Sequence, residues 1–301
     1  MSAKTTTNIA SVLSLPGRAS VFGRASVPAS PELPSPTRLA GTPSLPRVST
    51  PLLRWFTWYS RRYLRKHFHS LRVSRGQLPP AADGVPLVLF SNHASWWDPL
   101  VCLVLKAELF PARTAVAPID ATALARYKFF QRLGFFGVEQ GSRRGAVHFL
   151  RTGAAILRNP AHLLAVTPQG RFADSRERPV RFQPGLGHLA LLAEHALFVP
   201  LALEYVFWEE RLPEILVRFG EPVPVGGKHA AAASAAEWNR RFEDNLTATQ
   251  DALAAESQRR DPDDFQPFLR GGAGQGGVYD WWRALKTRLR GVDFTPEHGN
   301  K

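Results

Sequence analysis

The chain has 301 residues, of which 44% are hydrophobic, so it is long enough for one large domain or two small ones. Its 38 Lys and Arg exceed its 25 Asp and Glu, and the formal charge of +13 predicts an anionic partner: a membrane surface, a nucleic acid or a phosphorylated substrate. The single cysteine, Cys102, excludes an internal disulfide, and no uncharged apolar run approaches the roughly 20 residues of a membrane-spanning helix.

Residues 1–50 are rich in Ser, Pro, Ala and Thr, with Glu32 as their single acid and Phe22 as their single aromatic residue. Such a composition cannot bury enough apolar surface to offset the entropy of ordering, so we predict a disordered arm. Arg and Ser with almost no acid are also typical of a transit peptide, and both interpretations stay open.

From Pro51 onward, aromatic residues alternate with Arg and Lys, and the spacing predicts an amphipathic helix. On that helix Leu52, Phe56, Tyr59 and Tyr63 share one face, while the basic residues spread over the other. Rings beside cations suit an interfacial helix, in which the rings sit at the lipid headgroups and the cations meet anionic lipid. The alternative is a helix that faces the protein core and has a solvated basic side.

Short apolar runs then alternate with helical patterns, which indicates an α/β domain. The predicted strands are Leu87–Phe90, His162–Thr167, Phe198–Tyr205 and Ile215–Phe219. The predicted helices are Pro99–Leu109, Arg143–Arg158, Gly187–His195 and Glu237–Arg259. We therefore expect a mostly parallel mixed sheet flanked by helices and preceded by the interfacial amphipathic helix, within a domain of residues 51–260.

Residues 261–301 are predicted to form a flexible tail that carries a short basic-aromatic segment, which begins near Tyr279. The run Gly272–Gly277 formally matches a dinucleotide-binding glycine pattern. It follows no predicted strand and lies in no βαβ unit, so we interpret it as a hinge rather than a phosphate-binding loop.

A polar turn between two apolar runs carries the strongest chemical signal. It reads Ser-Asn-His-Ala-Ser-Trp-Trp-Asp-Pro and places His93 and Asp98 five positions apart at the start of a predicted helix, with Asn92 as its expected N-cap. Histidine titrates near neutral pH, and a carboxylate can fix its tautomer and stabilise its cation. Two interpretations follow: a catalytic His–Asp dyad, or a structural pair.

This turn resembles the first motif of the glycerolipid and lysophospholipid acyltransferases, of the 1-acylglycerol-3-phosphate acyltransferase type, in which His and Asp are separated by four residues. Three later blocks resemble the family's remaining motifs in order: residues 134–140, residues 167–171 and residues 199–203. The resemblance covers about Leu87 to Glu221. It implies that His93 and Asp98 are catalytic. The substrate-binding positions that it implies are Asn92, Gln140, Arg143, Arg144, Gln169, Gly170 and Arg171.

The chain departs from the family pattern where that pattern holds the acceptor's phosphate. Gln169 replaces a Glu, Gln140 replaces an Arg, and Phe172 occupies the position of a second Arg, with Arg171 one residue early. Glutamine cannot supply the charge that a guanidinium offers to a phosphate. The resemblance therefore predicts acyl transfer more firmly than it predicts the acceptor.

The expected reaction is transfer of a fatty acyl group from an acyl thioester to a hydroxyl of a lysophospholipid or related lipid. His93 would remove the hydroxyl proton and Asp98 would orient the ring, with oxyanion donors among the backbone amides near Gly170. Ser142 lacks the spacing of a nucleophile elbow, so direct attack is expected. We expect no cofactor, with acyl-CoA or acyl carrier protein as co-substrate.

We expect no metal, because His67 and His69 have no Cys or acid cluster beside them. The expected partner is an anionic membrane surface, with peripheral attachment at the cytoplasmic face, and no nucleic acid is expected. Two alternatives stay open. One is a non-catalytic basic protein that binds anionic membrane or nucleic acid, and the other is a His/Asp hydrolase that releases the acyl group to water.

Overall fold

A computed structural model of the chain describes residues 43, 45–77, 84–226 and 233–272. Its strands are β1 Ser70–Ser74, β2 Leu87–Ser91, β3 Thr114–Asp120, β4 Phe135–Val138, β5 His162–Val166, β6 His195–Val206, β7 Glu214–Phe219, β8 Val223–Gly226 and β9 Phe265–Arg270. Its α-helices are α1 Thr50–His67, α2 Asp98–Leu109, α3 Ala121–Arg126, α4 Arg143–Ile156, α5 Gly185–Leu192 and α6 Ala235–Arg259. Short 3-10 helices cover Lys128–Leu133 and Pro262–Asp264.

The described strands form one sheet with the order β4-β3-β5-β2-β6-β7-β1-β9, and β8 pairs with the first half of β6. The pairs β4–β3, β3–β5, β5–β2, β2–β6 and β1–β7 are parallel. The pairs β6–β7, β6–β8 and β1–β9 are antiparallel. The predicted fold class, a mostly parallel mixed sheet in an α/β fold, is thus confirmed.

Strand β2 lies at the centre of the sheet, between β5 and β6, and all five of its residues are buried. A strand covered on both faces has no solvent side, and this explains why Leu87–Phe90 is a continuous apolar run rather than an alternating one. The turn that follows β2 therefore begins at the end of a buried, central strand.

Helices α2 and α6 cover opposite faces of the sheet at β6. Ala202 packs in one core cluster with Leu253 of α6, whereas Tyr205 reaches Asp98 at the first turn of α2. Residues of opposite parity on a strand point to opposite faces, so the two helices are separated by the sheet. On the α6 side, Phe242 stacks on Phe198 with ring centroids 4.9 Å apart.

Helix α1 packs against α2 through one face, whose buried residues are Phe56, Thr57, Ser60 and Leu64. The predicted helix is present, but its most buried stripe is shifted by one position from the predicted one, and Tyr59 and Tyr63 are only partly buried. No helix in the described ranges is both long and apolar enough to cross a bilayer.

Several predicted boundaries are corrected. The helix predicted over Gly187–His195 ends at Leu192, and His195 opens the long strand β6, because Ala193 leaves the helical conformation. Strands β1, β3, β4, β8 and β9 were not predicted, and four of these five strands have six residues or fewer. Such short strands carry little periodicity, and their pairing partners are distant in sequence.

The tail predicted to begin at residue 261 is also corrected. Residues 265–270 form β9, which pairs antiparallel with β1 and buries Phe265 and Leu269. The ordered sheet therefore continues to Arg270. The basic-aromatic segment from Tyr279, nearly all of the Gly272–Gly277 run and most of the arm at residues 1–50 lie outside the described residues.

Candidate active site

The site is built at the carboxyl ends of the parallel strands. Strand β2 ends at Ser91, the turn covers residues 92–97, and α2 begins at Asp98. In open α/β sheets this edge is where ligands bind, because the loops there converge above a rigid sheet. The predicted strand–turn–helix is observed, although the N-cap of α2 is Trp97 and not Asn92.

His93 and Asp98 form the predicted pair. The ring Nδ1 of His93 lies 2.7 Å from Oδ2 of Asp98, whose side chain is only 2% exposed, while the histidine side chain is 20% exposed. A carboxylate accepts hydrogen bonds, so Nδ1 carries the hydrogen and Nε2 of the neutral ring keeps its lone pair. A ring in this state can take a proton from a substrate that reaches its exposed edge.

Asp98 is held by donors on both of its oxygens. Oδ1 accepts a 2.6 Å hydrogen bond from the Tyr205 hydroxyl, and Oδ2 accepts one from the backbone N–H of Ser95 at 3.1 Å in addition to that from His93. Asp98 is also the first residue of α2, where the helix dipole favours a negative charge. The buried carboxylate is thereby stabilised and oriented toward the histidine ring.

Tyr205 completes this arrangement and was not predicted from the sequence. Burial and then the nearby Asp98 carboxylate raise the pKa of its hydroxyl well above its usual value of 10.0, so it stays protonated and donates. The one signal in the sequence was a tyrosine two positions beyond Leu203 in a largely apolar strand. Its partner is 107 positions away, so spacing alone could not assign it.

Asn92 has a structural role, which corrects its predicted assignment as a substrate ligand. Its Nδ2 donates to the carbonyl of Leu203 at 2.9 Å, and its Oδ1 accepts from the N–H of the same residue at 2.8 Å. The side chain is 1% exposed. Asn92 therefore fastens the end of β2 to β6 and positions the turn that carries His93.

The loop from residue 167 to residue 184 touches His93 at three points. The N–H of His93 donates to Oε1 of buried Gln169 at 3.2 Å, and the N–H of Ala173 donates to the carbonyl of His93 at 2.8 Å. The ring of Phe172 lies against the imidazole with centroids 4.2 Å apart. Of the predicted substrate positions outside the turn, Gln169 is thus the one in direct contact with His93.

Gly170 and Arg171 do not have their predicted surroundings. Gly170 adopts a left-handed φ of 68° that favours glycine, and its N–H donates to the carbonyl of Thr167, so this amide is not a free oxyanion donor. Arg171 is exposed and pairs with Glu177. Its guanidinium is therefore paired with a carboxylate of the same loop.

Gln140, Arg143 and Arg144 lie at the same edge of the sheet but farther out. They follow β4 and begin α4, and all three are exposed. Three strand spacings of about 4.8 Å separate β4 from β2, so these residues lie about 14 Å to the side of the His93 strand. The structure places these three residues at the carboxyl edge of the sheet, beside β4, and they do not contact the His–Asp pair.

No Ser or Cys among these elements is arranged as a nucleophile. Burial and the Asp98 charge raise the pKa of the Cys102 thiol to about 12. The hydroxyl of Ser142 bonds Glu139 and caps α4 by accepting from Gly145. Within the described ranges, no three His, Cys, Asp or Glu side chains gather as metal ligands would.

In a comparison with known protein families, the family model described as Acyltransferase matches residues 70–204. The matched range begins with β1, ends near the end of β6 and includes the turn with His93 and Asp98. No curated protein matches the chain.

Proposed function

Because the Acyltransferase family model matches residues 70–204, we propose that the chain moves a fatty acyl group from an acyl thioester to a hydroxyl of a lysophospholipid or related lipid at a membrane surface. The observation that carries the proposal is the His93–Asp98 pair at the carboxyl end of the central strand. The donor is acyl-CoA or an acylated carrier protein, because both present the acyl group as a thioester.

The reaction follows from the orientation of the pair. Nε2 of His93 takes the proton of the acceptor hydroxyl, and the oxygen attacks the thioester carbonyl carbon. The tetrahedral oxyanion then collapses, the new C–O bond remains, the C–S bond breaks, and the imidazolium returns its proton to the thiolate. Asp98 stabilises the imidazolium during this cycle, as the acid does in a Ser-His-Asp triad.

Direct attack is favoured over a covalent acyl-enzyme. A cysteine with a pKa of about 12 is almost entirely thiol at neutral pH, and a thiol is a poor nucleophile. Among the residues that the structure describes, Asp98 is the side chain that hydrogen-bonds the His93 ring, and no hydroxyl there is placed for activation by His93.

The oxyanion requires donors near the carbonyl carbon. In the described part of the chain, the backbone N–H groups of Arg171 and Phe172 have no hydrogen-bond acceptor, and Phe172 lies against the His93 ring. We assign these two amides, rather than that of Gly170, to the oxyanion of the tetrahedral intermediate. One preorganised oxyanion donor contributes about 3 kcal/mol to transition-state stabilisation in a well-studied protease.

Helix α1 supports action at a membrane surface. Trp55 and Trp58 are 46% and 58% exposed, and Arg54, Arg62, Arg65 and Lys66 are exposed on the same helix. Near Trp58 the basic residues line an open depression of about 500 Å³, large enough to receive lipid phosphates. Each cation near an anionic membrane contributes about 1 kcal/mol, and the rings add apolar contact.

Aromatic contacts connect this helix to the site. Trp55 stacks on Tyr59 at 5.9 Å, Tyr59 stacks on Tyr63 at 5.6 Å, and Tyr63 contacts Trp97 at 5.4 Å. Trp97 precedes Asp98 directly. A membrane that meets the exposed end of this row would therefore lie beside the turn, where a lipid acceptor must enter.

The test uses the purified chain with radiolabelled acyl-CoA or acyl carrier protein, in vesicles with and without lipid acceptors, and mass spectrometry of the products. We expect an acylated lipid that forms only when acceptor is present. Release of free fatty acid at the same rate with and without acceptor would identify a hydrolase instead. The absence of both reactions with either donor would contradict the proposal.

A further inference from the structure

Phe172 is an exposed aromatic residue that covers the proposed base. Its ring lies 4.2 Å from the His93 ring at an interplanar angle of 32°, yet 58% of the residue is exposed. Single exposed apolar residues are common on protein surfaces, so the contact of this ring with the His93 imidazole is what distinguishes Phe172.

Hydrogen bonds from residues on both sides of Phe172 fix its position relative to His93. Gln169 accepts from the N–H of His93, and Ala173 donates to the carbonyl of His93, so the residues that flank Phe172 are tied to the catalytic turn. Farther along, the N–H of Phe182 donates to buried Glu243 at 2.7 Å and anchors the loop to α6. These hydrogen bonds restrain the conformation of the loop and hold the Phe172 ring beside His93.

The cations of this loop are turned toward carboxylates of the protein. Arg171 pairs with Glu177, Arg176 with Asp174, Arg178 with Asp251 and Arg181 with Glu243. Exposed pairs of this kind are individually weak, about 0–1 kcal/mol, but each one lowers the positive charge that the loop presents. The side chain that contacts the His93 ring is the apolar Phe172, while the guanidinium groups of the loop pair with carboxylates of the protein.

A phosphate that meets the Phe172 ring beside the reacting hydroxyl gains no cation from this side chain. Desolvation of a phosphate dianion without a cation is costly, whereas an uncharged glyceryl or alkyl group gains apolar contact there. We infer that Phe172 selects an acceptor whose hydroxyl carries no neighbouring phosphate, namely a neutral lipid alcohol such as a monoacylglycerol or a long-chain alcohol. The inference rests on the proposed acyl transfer and narrows its acceptor.

The test compares two acceptors that differ only in phosphate: 1-oleoylglycerol and 1-oleoylglycerol 3-phosphate. Both are offered separately in phosphatidylcholine vesicles with radiolabelled acyl-CoA and with acyl carrier protein thioester. We expect kcat/KM to favour the neutral acceptor at least about tenfold, since the phosphate loses its solvation without gaining a charged partner.

The matched variants are Phe172→Arg and Phe207→Arg. Both replace an exposed phenylalanine by a cation, but Phe207, 66% exposed between β6 and β7, makes no ring contact with His93 in the described structure. Phe172→Arg should shift the preference toward the phosphorylated acceptor by about tenfold or more, mainly through a lower KM for it, because a guanidinium binds phosphate directly. Phe207→Arg should leave the preference unchanged.

The outcomes separate the two proposals. A wild-type preference for the phosphorylated acceptor, or an unchanged preference in Phe172→Arg, overturns the role of Phe172 while acyl transfer stands. The same shift in acceptor preference in Phe207→Arg also overturns the role of Phe172, because a positive charge away from His93 would then be enough to change the preference. Failure of the wild-type chain to acylate any lipid hydroxyl, from either donor, overturns the proposed function and this inference with it.

Discussion

Replacement of Tyr205 by Phe removes one hydroxyl group from the catalytic arrangement and leaves the ring in place. In the wild-type chain this hydroxyl donates to Oδ1 of Asp98 at 2.6 Å, and the ring contacts Phe68 at 5.7 Å. The variant therefore tests whether Asp98 needs its third donor to hold the His93 ring. Packing should change little, because phenylalanine keeps the ring and its contacts.

The expected magnitude follows from the nature of that bond. A hydrogen bond to a charged, buried group contributes about 1.5–3 kcal/mol, and the variant leaves Oδ1 of a nearly inaccessible carboxylate without it. We expect unfolding free energy at pH 7 to fall by about 2 kcal/mol. If about half of this loss acts on the orientation of His93 in the transition state, kcat/KM falls roughly fivefold.

The stability difference should depend on pH in a defined direction. The pKa of Tyr205 is raised in the folded chain, so above pH 10.0 the unfolded tyrosine ionises while the folded one stays protonated. The wild-type contribution is therefore complete below pH 10 and declines at higher pH by about 1.4 kcal/mol per pH unit until the folded hydroxyl also ionises. The difference in unfolding free energy between the wild type and Tyr205→Phe should therefore decrease as the pH rises above 10.

The assay combines urea unfolding at pH 7 and at pH 10.5 with acyl-transfer kinetics. The matched control is Tyr63→Phe, whose hydroxyl makes no hydrogen bond in the described part of the chain and whose ring also lies beside the turn. Wild-type stability and kinetics in Tyr205→Phe would refute the reasoning. Equal losses in both variants would refute it too, because the effect would then come from the aromatic surroundings and not from Asp98.

Three further predictions concern stability, reactivity and membrane binding. Asn92→Ala leaves two buried backbone groups of β6 unpaired and should lower the unfolding free energy by about 3 kcal/mol in urea melts. Cys102, with its pKa of about 12, should be alkylated by iodoacetamide at pH 8 about a thousandfold more slowly than the same thiol in urea. The charge reversals Arg62→Glu and Arg65→Glu together should weaken binding to anionic vesicles about thirtyfold or more in sedimentation assays, whereas Arg240→Glu on α6 should change it little.

Each of these predictions has a result that contradicts it. Wild-type stability in Asn92→Ala would show that the two hydrogen bonds between Asn92 and Leu203 do not stabilise the fold. Alkylation of native Cys102 at the rate of the unfolded thiol would place it in an open, ionisable environment. Equal vesicle binding by the wild type and the α1 double variant would remove that helix from the membrane contact.

The His–Asp pair could be predicted because its two members lie five positions apart on one turn. The apolar run before the turn predicts the end of a strand, and the apolar run after it predicts a helix, so the five-residue spacing fixes both side chains on one turn. The fold class could be predicted for a similar reason, since each long strand and helix carries its own periodicity.

The surroundings of the pair depend on contacts between distant segments and could not be predicted in this way. Asn92 carries the features of a helix cap or a ligand, and only the register of β2 beside β6 shows that it bonds Leu203. Arg171 has the features of a phosphate ligand until the fold of its loop pairs it with Glu177. In both cases a polar side chain finds a partner inside the protein that the sequence does not identify.

The short strands were missed because tertiary pairing, not local preference, stabilises them. Residues 265–270 contain Pro267 together with Gln266 and Arg270, which favour a loop. They form β9 because β1 offers an unpaired edge and Phe265 fills a core cluster with Leu216 and Leu253. A single sequence records none of these partners.

The most direct test of the central claim is acyl transfer by the purified His93→Ala chain. The assay uses a radiolabelled acyl thioester and a lipid acceptor, and circular dichroism verifies folding. We expect kcat/KM to fall by at least about a hundredfold, because the His93 ring supplies the general base. The unfolding midpoint should stay close to that of the wild type, because the ring is partly exposed and is not part of the hydrophobic core. A folded His93→Ala protein that acylates lipid at the wild-type rate would contradict the account.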